Sequence, residues 1–231
     1  MPLSFGSLFA GIGGFDLGFE RAGMVCKWQV EVDDYANRVL AKNWPHVRRW
    51  PDVRTWPQPD TEPVDIIVGG FPCQDISYAG AGAGLDGERS GLWFEFARII
   101  RDVGPRFVVV ENVAALLVRG VDRVLGTLAN CGYDAEWSSI SAGDIGAAQS
   151  RSRLWLVAYR SGEYGFTDSA IFRREEQAGV GTWWESEPGV VRVADGVPNR
   201  MDRLHGLGNA VVPQIAEWIG RRIVEAVESA A

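Results

Sequence analysis

Cysteine is scarce in this chain, and its placement excludes two common uses. The three cysteines, Cys26, Cys73 and Cys131, are odd in number and show neither CxxC nor Cys/His ligand spacing. Such a set argues against a disulfide framework and against a structural zinc site. We therefore expect reduced thiols.

The chain also lacks long apolar runs. No stretch is long enough to cross a bilayer, and the first residues do not combine a basic region with an apolar one, as a secretory leader does. No repeat or heptad pattern predicts obligate assembly. These absences favour a cytoplasmic monomer with no membrane partner. The 46% hydrophobic content over 231 residues is enough for one full core.

Net positive charge is missing too, since the formal charge is -7. That argues mildly against a nucleic-acid partner, because proteins that bind phosphates usually carry a basic field. Net charge does not determine local charge, however. Nearly all of the cations are arginines, which make bidentate contacts with phosphates and bases. A nucleic-acid partner therefore stays open.

What the chain does contain is an alternation of short apolar runs and helical patterns. The pattern predicts strands near residues 5–9, 28–32, 66–68, 107–110 and 154–159, and helices near residues 15–23, 35–43 and 92–101. Such alternation predicts an α/β fold with a doubly wound, mostly parallel sheet. A helix is also predicted from Pro213, and its one-sided apolar face favours packing back onto the domain.

The apolar runs lead to residues with special chemistry. Gly11 and Gly13 follow the first run, Glu31 lies near the end of the second, and Cys73 and Glu111 follow the next two. In an open α/β sheet, ligands bind beyond the carboxyl ends of the strands. The sequence therefore predicts one site at that edge.

The glycine turn is ambiguous when it is taken alone. It is not a complete GxGxxG motif, because Asp16 stands where the last glycine would be, and glycine turns after strands are common. Glu31 lies about 18 residues beyond Gly13, near the spacing at which an acid meets ribose hydroxyls in dinucleotide folds. Together the turn and the acid favour a bound nucleotide.

Cys73 has the setting of a reactive thiol. It follows Gly70-Phe71-Pro72, and a loop that begins without bulky side chains lets a substrate approach the sulfur. A free cysteine is more often a small buried residue, and Glu111 could be a helix-capping acid. A thiol and an acid at one edge favour a nucleophile with an acid partner.

Several segments carry a resemblance to a known family. In chain order they are Phe9-Ala10-Gly11-Ile12-Gly13-Gly14, Glu31-Val32-Asp33, Pro72-Cys73-Gln74 with Ser77, the helix at 92–101, Glu111-Asn112-Val113, Gln149-Ser150-Arg151-Ser152-Arg153 and Gly208-Asn209-Ala210-Val211-Val212-Pro213. Together they resemble the motifs of the cytosine-C5 DNA methyltransferases, over nearly the whole chain and in the family's order. Residues 193–203 are more loosely similar to versions carried by bacteriophages and prophages.

The resemblance implies an S-adenosylmethionine-dependent methyltransferase fold and a covalent mechanism without metal. Cys73 would attack C6 of cytosine, Glu111 would hydrogen-bond or protonate N3, and Arg153 would hold O2. A methyl group would pass from S-adenosylmethionine to C5, leaving 5-methylcytosine and S-adenosylhomocysteine. Because the ring is inaccessible inside a duplex, the base would be flipped out of double-stranded DNA.

The resemblance also implies binding residues. The DNA side would include Gln74, Ser77 and Arg151. The cofactor would be held at its methionine part, ribose and adenine by residues from both ends of the chain: Phe9, Gly11, Ile12, Gly13, Glu31, Val32, Asp52, Val53, Asn209 and Val211.

The chain departs from the family in its target-recognition region. Residues 1–159 would form the catalytic and cofactor-binding domain, 160–192 the recognition segment, and 193–231 a C-terminal segment that returns to the domain. A recognition segment of about 35 residues is short for the family. We expect a short recognition sequence, in an enzyme that either belongs with a cognate restriction endonuclease or protects a virus from one.

Three other interpretations stay open. A tRNA-directed member of the same family would share nearly every motif. An inactive homologue is disfavoured because Cys73, Glu111 and Arg153 are all present. A nicotinamide-dependent oxidoreductase would explain the glycine turn and Glu31, but not the thiol with its acid.

Overall fold

One sheet organises the chain in the computed structural model, which describes residues 1–57, 61–72, 92–146, 151–162, 171–172 and 206–230. Its seven strands follow the order β3-β2-β1-β4-β5-β7-β6. They are β1 (Ser4–Leu8), β2 (Val25–Val30), β3 (Arg48–Trp50), β4 (Ile66–Gly69), β5 (Phe107–Val113), β6 (Tyr133–Ser141) and β7 (Ser152–Arg160).

Helices cover both faces of this sheet. Within the described ranges they are α1 (Gly14–Arg21), α2 (Asp34–Asn43), α3 (Leu92–Val103), α4 (Leu116–Arg119), α5 (Val121–Asn130) and α6 (Pro213–Ser229). The local sequence explains where two of these helices begin. Asp33 accepts a hydrogen bond from the Ala36 amide at the start of α2, and α6 begins with a proline. No helix in these ranges is both long and apolar enough to span a membrane.

The predicted doubly wound sheet is confirmed. Strands β1, β2, β3, β4 and β5 pair in parallel, so their carboxyl ends lie along one edge. Neighbours β2, β1, β4 and β5 lead to the residues that the sequence singled out. Between β1 and β4 the chain order reverses, and such a switch point is where open α/β sheets bind ligands.

Two antiparallel strands extend the sheet beyond β5. Strand β7 pairs with β5 and with β6, and this register sets Arg153 opposite both Val113 and Ile140. Pairing along its whole length carries β5 on to Val113, three residues past the predicted end at residue 110. Glu111 therefore lies within the strand, where the backbone fixes its position, and not in a loop after it.

A hydrophobic cluster fills each side of the sheet. One cluster packs α3, α4 and α5 on one face, with Trp93, Phe96, Ile100 and Val124 fully buried. The other packs α1 and α6 on the opposite face, with Phe19, Ile219 and Ile223 fully buried. The C-terminal helix is thus part of the same core as the first helix.

The contact between α1 and α6 depends on glycine. A Cβ atom added at Gly18 would lie 2.6 Å from the Ala216 Cβ and closer still to the Pro213 carbonyl. A Cβ at Gly14 would lie 2.9 Å from the Val211 Cβ. The two segments therefore approach at backbone distance, which a side chain on either glycine would prevent.

A buried carboxyl stands behind the glycine turn. Asp16 is fully buried and accepts hydrogen bonds from Gln29 Nε2 at 2.8 Å, Ser7 Oγ at 3.2 Å and Cys26 Sγ at 3.5 Å. Burial raises the pKa of Asp16 from its ordinary 3.8 to about 6, although these hydrogen bonds act in the opposite direction. Burial also raises the pKa of the Cys26 thiol, so Cys26 is an uncharged packing residue.

The predicted domain boundaries remain predictions. Most of the proposed recognition segment at 160–192 lies outside the described residues, as does all of 193–205.

Gly18→Ala should destabilise the protein by about 1–3 kcal/mol, because the added methyl group overpacks the α1/α6 contact. Gly126→Ala is the matched control, since a Cβ there meets no atom within 4 Å. It should be neutral or stabilising by up to about 1 kcal/mol through helix propensity. Urea unfolding measures the free energy of unfolding of both variants. Equal values for Gly18→Ala and Gly126→Ala would contradict the close α1/α6 contact.

Asp16→Asn should change how stability depends on pH. The pKa of Asp16 is higher in the folded state than in the unfolded state. Its contribution to the free energy of unfolding is therefore complete below about pH 4 and is lost as the pH rises through about 6. Between pH 4.5 and 7, the wild type should lose about 2 kcal/mol relative to the variant. Denaturant unfolding at both pH values tests this. A constant difference would show that Asp16 titrates normally.

Candidate active site

The glycine turn connects β1 to α1 at the carboxyl edge. Phe9, Gly11 and Gly13 all have positive φ, of 52°, 55° and 90°. A Cβ at Gly13 would collide with the Trp44 ring, whereas a Cβ at Gly11 would meet no atom of the described residues within 4 Å. Gly11 thus presents its backbone to open space, and Gly13 allows the turn to pack against Trp44.

Glu31 fixes the glycine turn by accepting a hydrogen bond from its backbone. Directly after β2, its Oε2 accepts a hydrogen bond from the Gly11 amide at 2.7 Å, and its Oε1 accepts one from the Asp33 amide at 2.8 Å. The residue is 9% exposed, while its neighbour Val32 is 71% exposed. The acid therefore contacts Gly11, and an exposed apolar side chain follows it directly in the chain.

The Asp52–Val53 segment follows β3. The Asp52 carboxylate pairs with Arg54, and these hydrogen bonds lower its pKa. Val53 is buried and begins a short 3-10 turn, Val53–Thr55.

Arg98 of α3, which sequence reasoning missed, anchors this segment. Its Nη2 donates to the carbonyl oxygens of Val53 at 2.8 Å and Trp56 at 2.6 Å. Glu95 and Asp102, one turn away on either side, pair with the same guanidinium. That i−3 and i+4 acid spacing was the available signal, although it does not identify the backbone partners.

Glu111 is the most perturbed acid at the edge. Its Oε1 lies 3.2 Å from Arg153 Nε on β7. A Cβ at Gly70 would lie only 3.2 Å from Glu111 Oε2, so the exit of β4 passes directly beside the carboxyl. Burial raises the pKa of Glu111 to about 7, against the opposing charges of Arg153 and Arg151. The group can therefore hold a proton near neutral pH.

Asn112, the next residue, ties two strands together. Its Nδ2 donates to the Phe71 carbonyl at 3.1 Å, and its Oδ1 accepts from the Val113 amide. The chain just before Cys73 is thereby fixed beside β5. Cys73 itself, with Gln74 and Ser77, lies outside the described residues.

Arg151 and Arg153 point toward different partners. Arg153 pairs with Glu111, and its Nη1 donates to the Ser152 carbonyl. Arg151 donates through Nη1 to the Leu207 carbonyl at 3.3 Å and through Nη2 to the Gly208 carbonyl at 2.9 Å.

The segment at 206–211 lies across the glycine turn. A Cβ at Gly206 would lie 3.3 Å from the Ile12 side chain, and Val211 packs against Gly14. The fold thus brings Val211 to the first glycine motif from nearly 200 residues away along the chain, with Asn209 two residues before it.

A cavity of about 430 Å³ lies between the glycine turn with α1, the end of α2 and the segment at 207–213. Three of the ten predicted cofactor residues line this cavity, namely Ile12, Gly13 and Val211. Glu31, Val32, Asp52 and Val53 do not line it. The lining residues are Ile12, Gly13, Gly14, Leu17, Glu20, Asn43, Trp44, Leu207, Ala210, Val211 and Pro213. Within the described ranges, no group of three or more His, Cys, Asp or Glu residues could hold a metal ion.

Known proteins are similar to this chain in sequence and in structure. The Type II methyltransferase M.NgoPII of Neisseria gonorrhoeae is 36% identical over 165 residues, which cover 69% of this chain and 48% of that protein. M.Eco47II of Escherichia coli is 38% identical over 161 residues, covering 67% and 39%. A solved structure named as a DNA modification methyltransferase from an Escherichia coli prophage has a TM-score of 0.58 at 27% identity, covering 68% and 47%.

The chain spans less than half the length of each of these three relatives. A family model described as C-5 cytosine-specific DNA methylase matches residues 3–179, which include the turn, both strand-end acids and the two arginines at β7. Since that match extends over most of its length, the chain belongs to the C-5 cytosine-specific DNA methylase family.

Proposed function

We propose that the protein is a DNA (cytosine-5-)-methyltransferase that modifies a flipped cytosine in double-stranded DNA. The observation that carries this proposal is the buried Glu111 carboxyl, 3.2 Å from Arg153 and directly beside the strand exit that leads to Cys73. An acid that keeps its proton near neutral pH, paired with a fixed cation, suits a heteroaromatic ring that must be activated.

The residues at the edge fit S-adenosylmethionine as the cofactor. Gly11 leaves open space above its backbone, the buried Glu31 carboxylate faces the turn, and Val32 offers an exposed apolar surface. When bound, S-adenosylmethionine supplies a methyl group activated by a positively charged sulfur. The residues proposed to hold it are Phe9, Gly11, Ile12, Gly13, Glu31, Val32, Asp52, Val53, Asn209 and Val211.

We propose that Cys73 and Glu111 make the cytosine reactive. The thiolate of Cys73 forms a bond to C6, and the displaced ring electrons are stabilised when Glu111 delivers its proton to N3. C5 of the resulting enamine is nucleophilic enough to accept a methyl group. Loss of the C5 proton to a base then drives elimination of the Cys73 thiolate, N3 returns its proton to Glu111, and the ring becomes aromatic again.

Arg153 has two tasks in this scheme. Its guanidinium holds the cytosine O2, and its charge keeps the Glu111 carboxyl in place through the 3.2 Å contact. Because Arg153 is fixed by the β5/β7/β6 register, both tasks rest on rigid sheet and not on a loop.

Further proposals concern partners and the rest of the chain. We propose that Gln74 and Ser77 contact the DNA around the flipped base, and that residues 160–192 read a short site. The named relatives are Type II methyltransferases. By analogy, we propose a cognate restriction endonuclease, with this protein acting as a cytoplasmic monomer.

Cys73→Ser should abolish transfer of labelled methyl from S-adenosylmethionine to duplex DNA, because the serine hydroxyl is a far weaker nucleophile than a thiolate. Cys131→Ser, at a partly buried packing position, is the control and should retain activity. Bisulfite sequencing of the wild-type product would reveal the site. Transfer to tRNA but not DNA would reassign the substrate. No transfer to either by folded, cofactor-binding wild type would overturn the proposal.

The methyl-transfer rate should fall as pH rises above about 7, because Glu111 loses the proton that it delivers. Glu111→Gln should lower the single-turnover rate by roughly 10²-fold or more and remove this decline, since glutamine does not titrate. Single-turnover rates from pH 6 to 9 with saturating DNA and cofactor test both points. A variant that keeps the wild-type decline would assign the titration to another group.

A further inference from the structure

Arg151 connects the two halves of the proposed active site. It precedes β7, two residues before Arg153, and its guanidinium donates to the carbonyl oxygens of Leu207 at 3.3 Å and Gly208 at 2.9 Å. Its Nε is buried and has no hydrogen-bond partner among the described residues. Two of its three donor nitrogens are therefore committed to the backbone of the returning segment.

The geometry requires an arginine. A planar guanidinium can donate in parallel to two neighbouring carbonyls, whereas a lysine ammonium acts as a point charge on a flexible stem. Charge-assisted hydrogen bonds to backbone oxygens are also stronger than neutral ones. The pair of contacts therefore fixes the position of the 207–208 peptide relative to β7.

The position of that peptide controls the residues on either side of it. Gly206 packs beside Ile12, and Val211 packs against Gly14, so both ends of the segment touch the glycine turn. Asn209 lies between these two anchors, one residue after Gly208. A displaced 207–208 peptide would shift Asn209 and Val211 away from the turn.

Arg151 also lies close enough to Glu111 and Arg153 to interact electrostatically with both. Its charge acts to lower the pKa of Glu111, and Glu111 in turn favours the charged form of Arg151. Arg153 adds a second positive charge nearby, which disfavours that form. The carbonyls of Leu207 and Gly208 therefore stabilise the Arg151 guanidinium near a second positive charge.

We propose that Arg151 is a positioning residue that holds the 206–211 segment against the glycine turn and so shapes the cofactor side of the site. This inference rests on the proposed function, because it assumes that the turn binds S-adenosylmethionine. It assigns Arg151 to the cofactor side, in place of the DNA contact that the sequence motif suggests.

The test is binding of S-adenosylhomocysteine to the full chain without DNA, measured by calorimetry. Arg151→Met should weaken binding by roughly 10-fold or more through loss of two charge-assisted hydrogen bonds. Arg151→Lys keeps one donor group and should recover part of the affinity. Arg101→Met removes an exposed arginine in the last turn of α3 and should bind as wild type.

Kinetics and DNA binding separate positioning from a DNA contact. In Arg151→Met, the KM for S-adenosylmethionine should rise more than kcat falls, and affinity for duplex DNA without cofactor should be unchanged. Unchanged S-adenosylhomocysteine affinity with weakened DNA binding would overturn the inference and return Arg151 to the DNA side. If the methionine variant does not fold, wild-type affinity in Arg151→Lys would overturn it equally.

The proposed function is tested separately by the wild type. Wild-type protein that does not bind S-adenosylhomocysteine would overturn the proposed function together with this inference. Wild-type binding that Arg151→Met fully retains would overturn the inference alone.

Discussion

The close contact between α1 and α6 is the constraint on which the site depends. Because Gly18 has no side chain, α1 and α6 meet at backbone distance, and Gly14 allows Val211 to approach equally closely. That contact brings residues 206–211 to the glycine turn, and Arg221 adds a hydrogen bond to the Arg21 carbonyl. Without it, Asn209 and Val211 would have no fixed position relative to the turn.

Much of the fold can be predicted, because strong apolar runs are local signals, and the candidate residues Glu31 and Glu111 lie at the sheet edge where the sequence predicts them. The antiparallel strand β6 escapes prediction, since its mixed burial leaves Trp137 exposed and gives no continuous apolar run. The extension of β5 through Glu111 escapes it as well. It depends on pairing with β7, a partner roughly 45 residues away along the chain, and no local pattern reports such pairing.

The arginine partners are unpredictable for a similar reason. Arg98 and Arg151 both donate to backbone carbonyls of segments that carry proposed cofactor residues. A backbone carbonyl has no sequence signature, so neither contact can be inferred from residue types. Glu111 differs, because its partner Arg153 is a charged side chain in a recognisable motif. Sequence thus identifies the candidate catalytic pair, Glu111 and Arg153, more readily than the backbone contacts around it.

The distance along the chain between α1 and α6 also bears on how the protein folds. The hydrogen bond between Arg221 and Arg21 joins positions 200 residues apart. Closing so long a loop costs much chain entropy, and folds rich in distant contacts assemble slowly. The central parallel strands can pair before α6 docks. The glycine turn would then gain its final wall late in folding, after the sheet beneath it has formed.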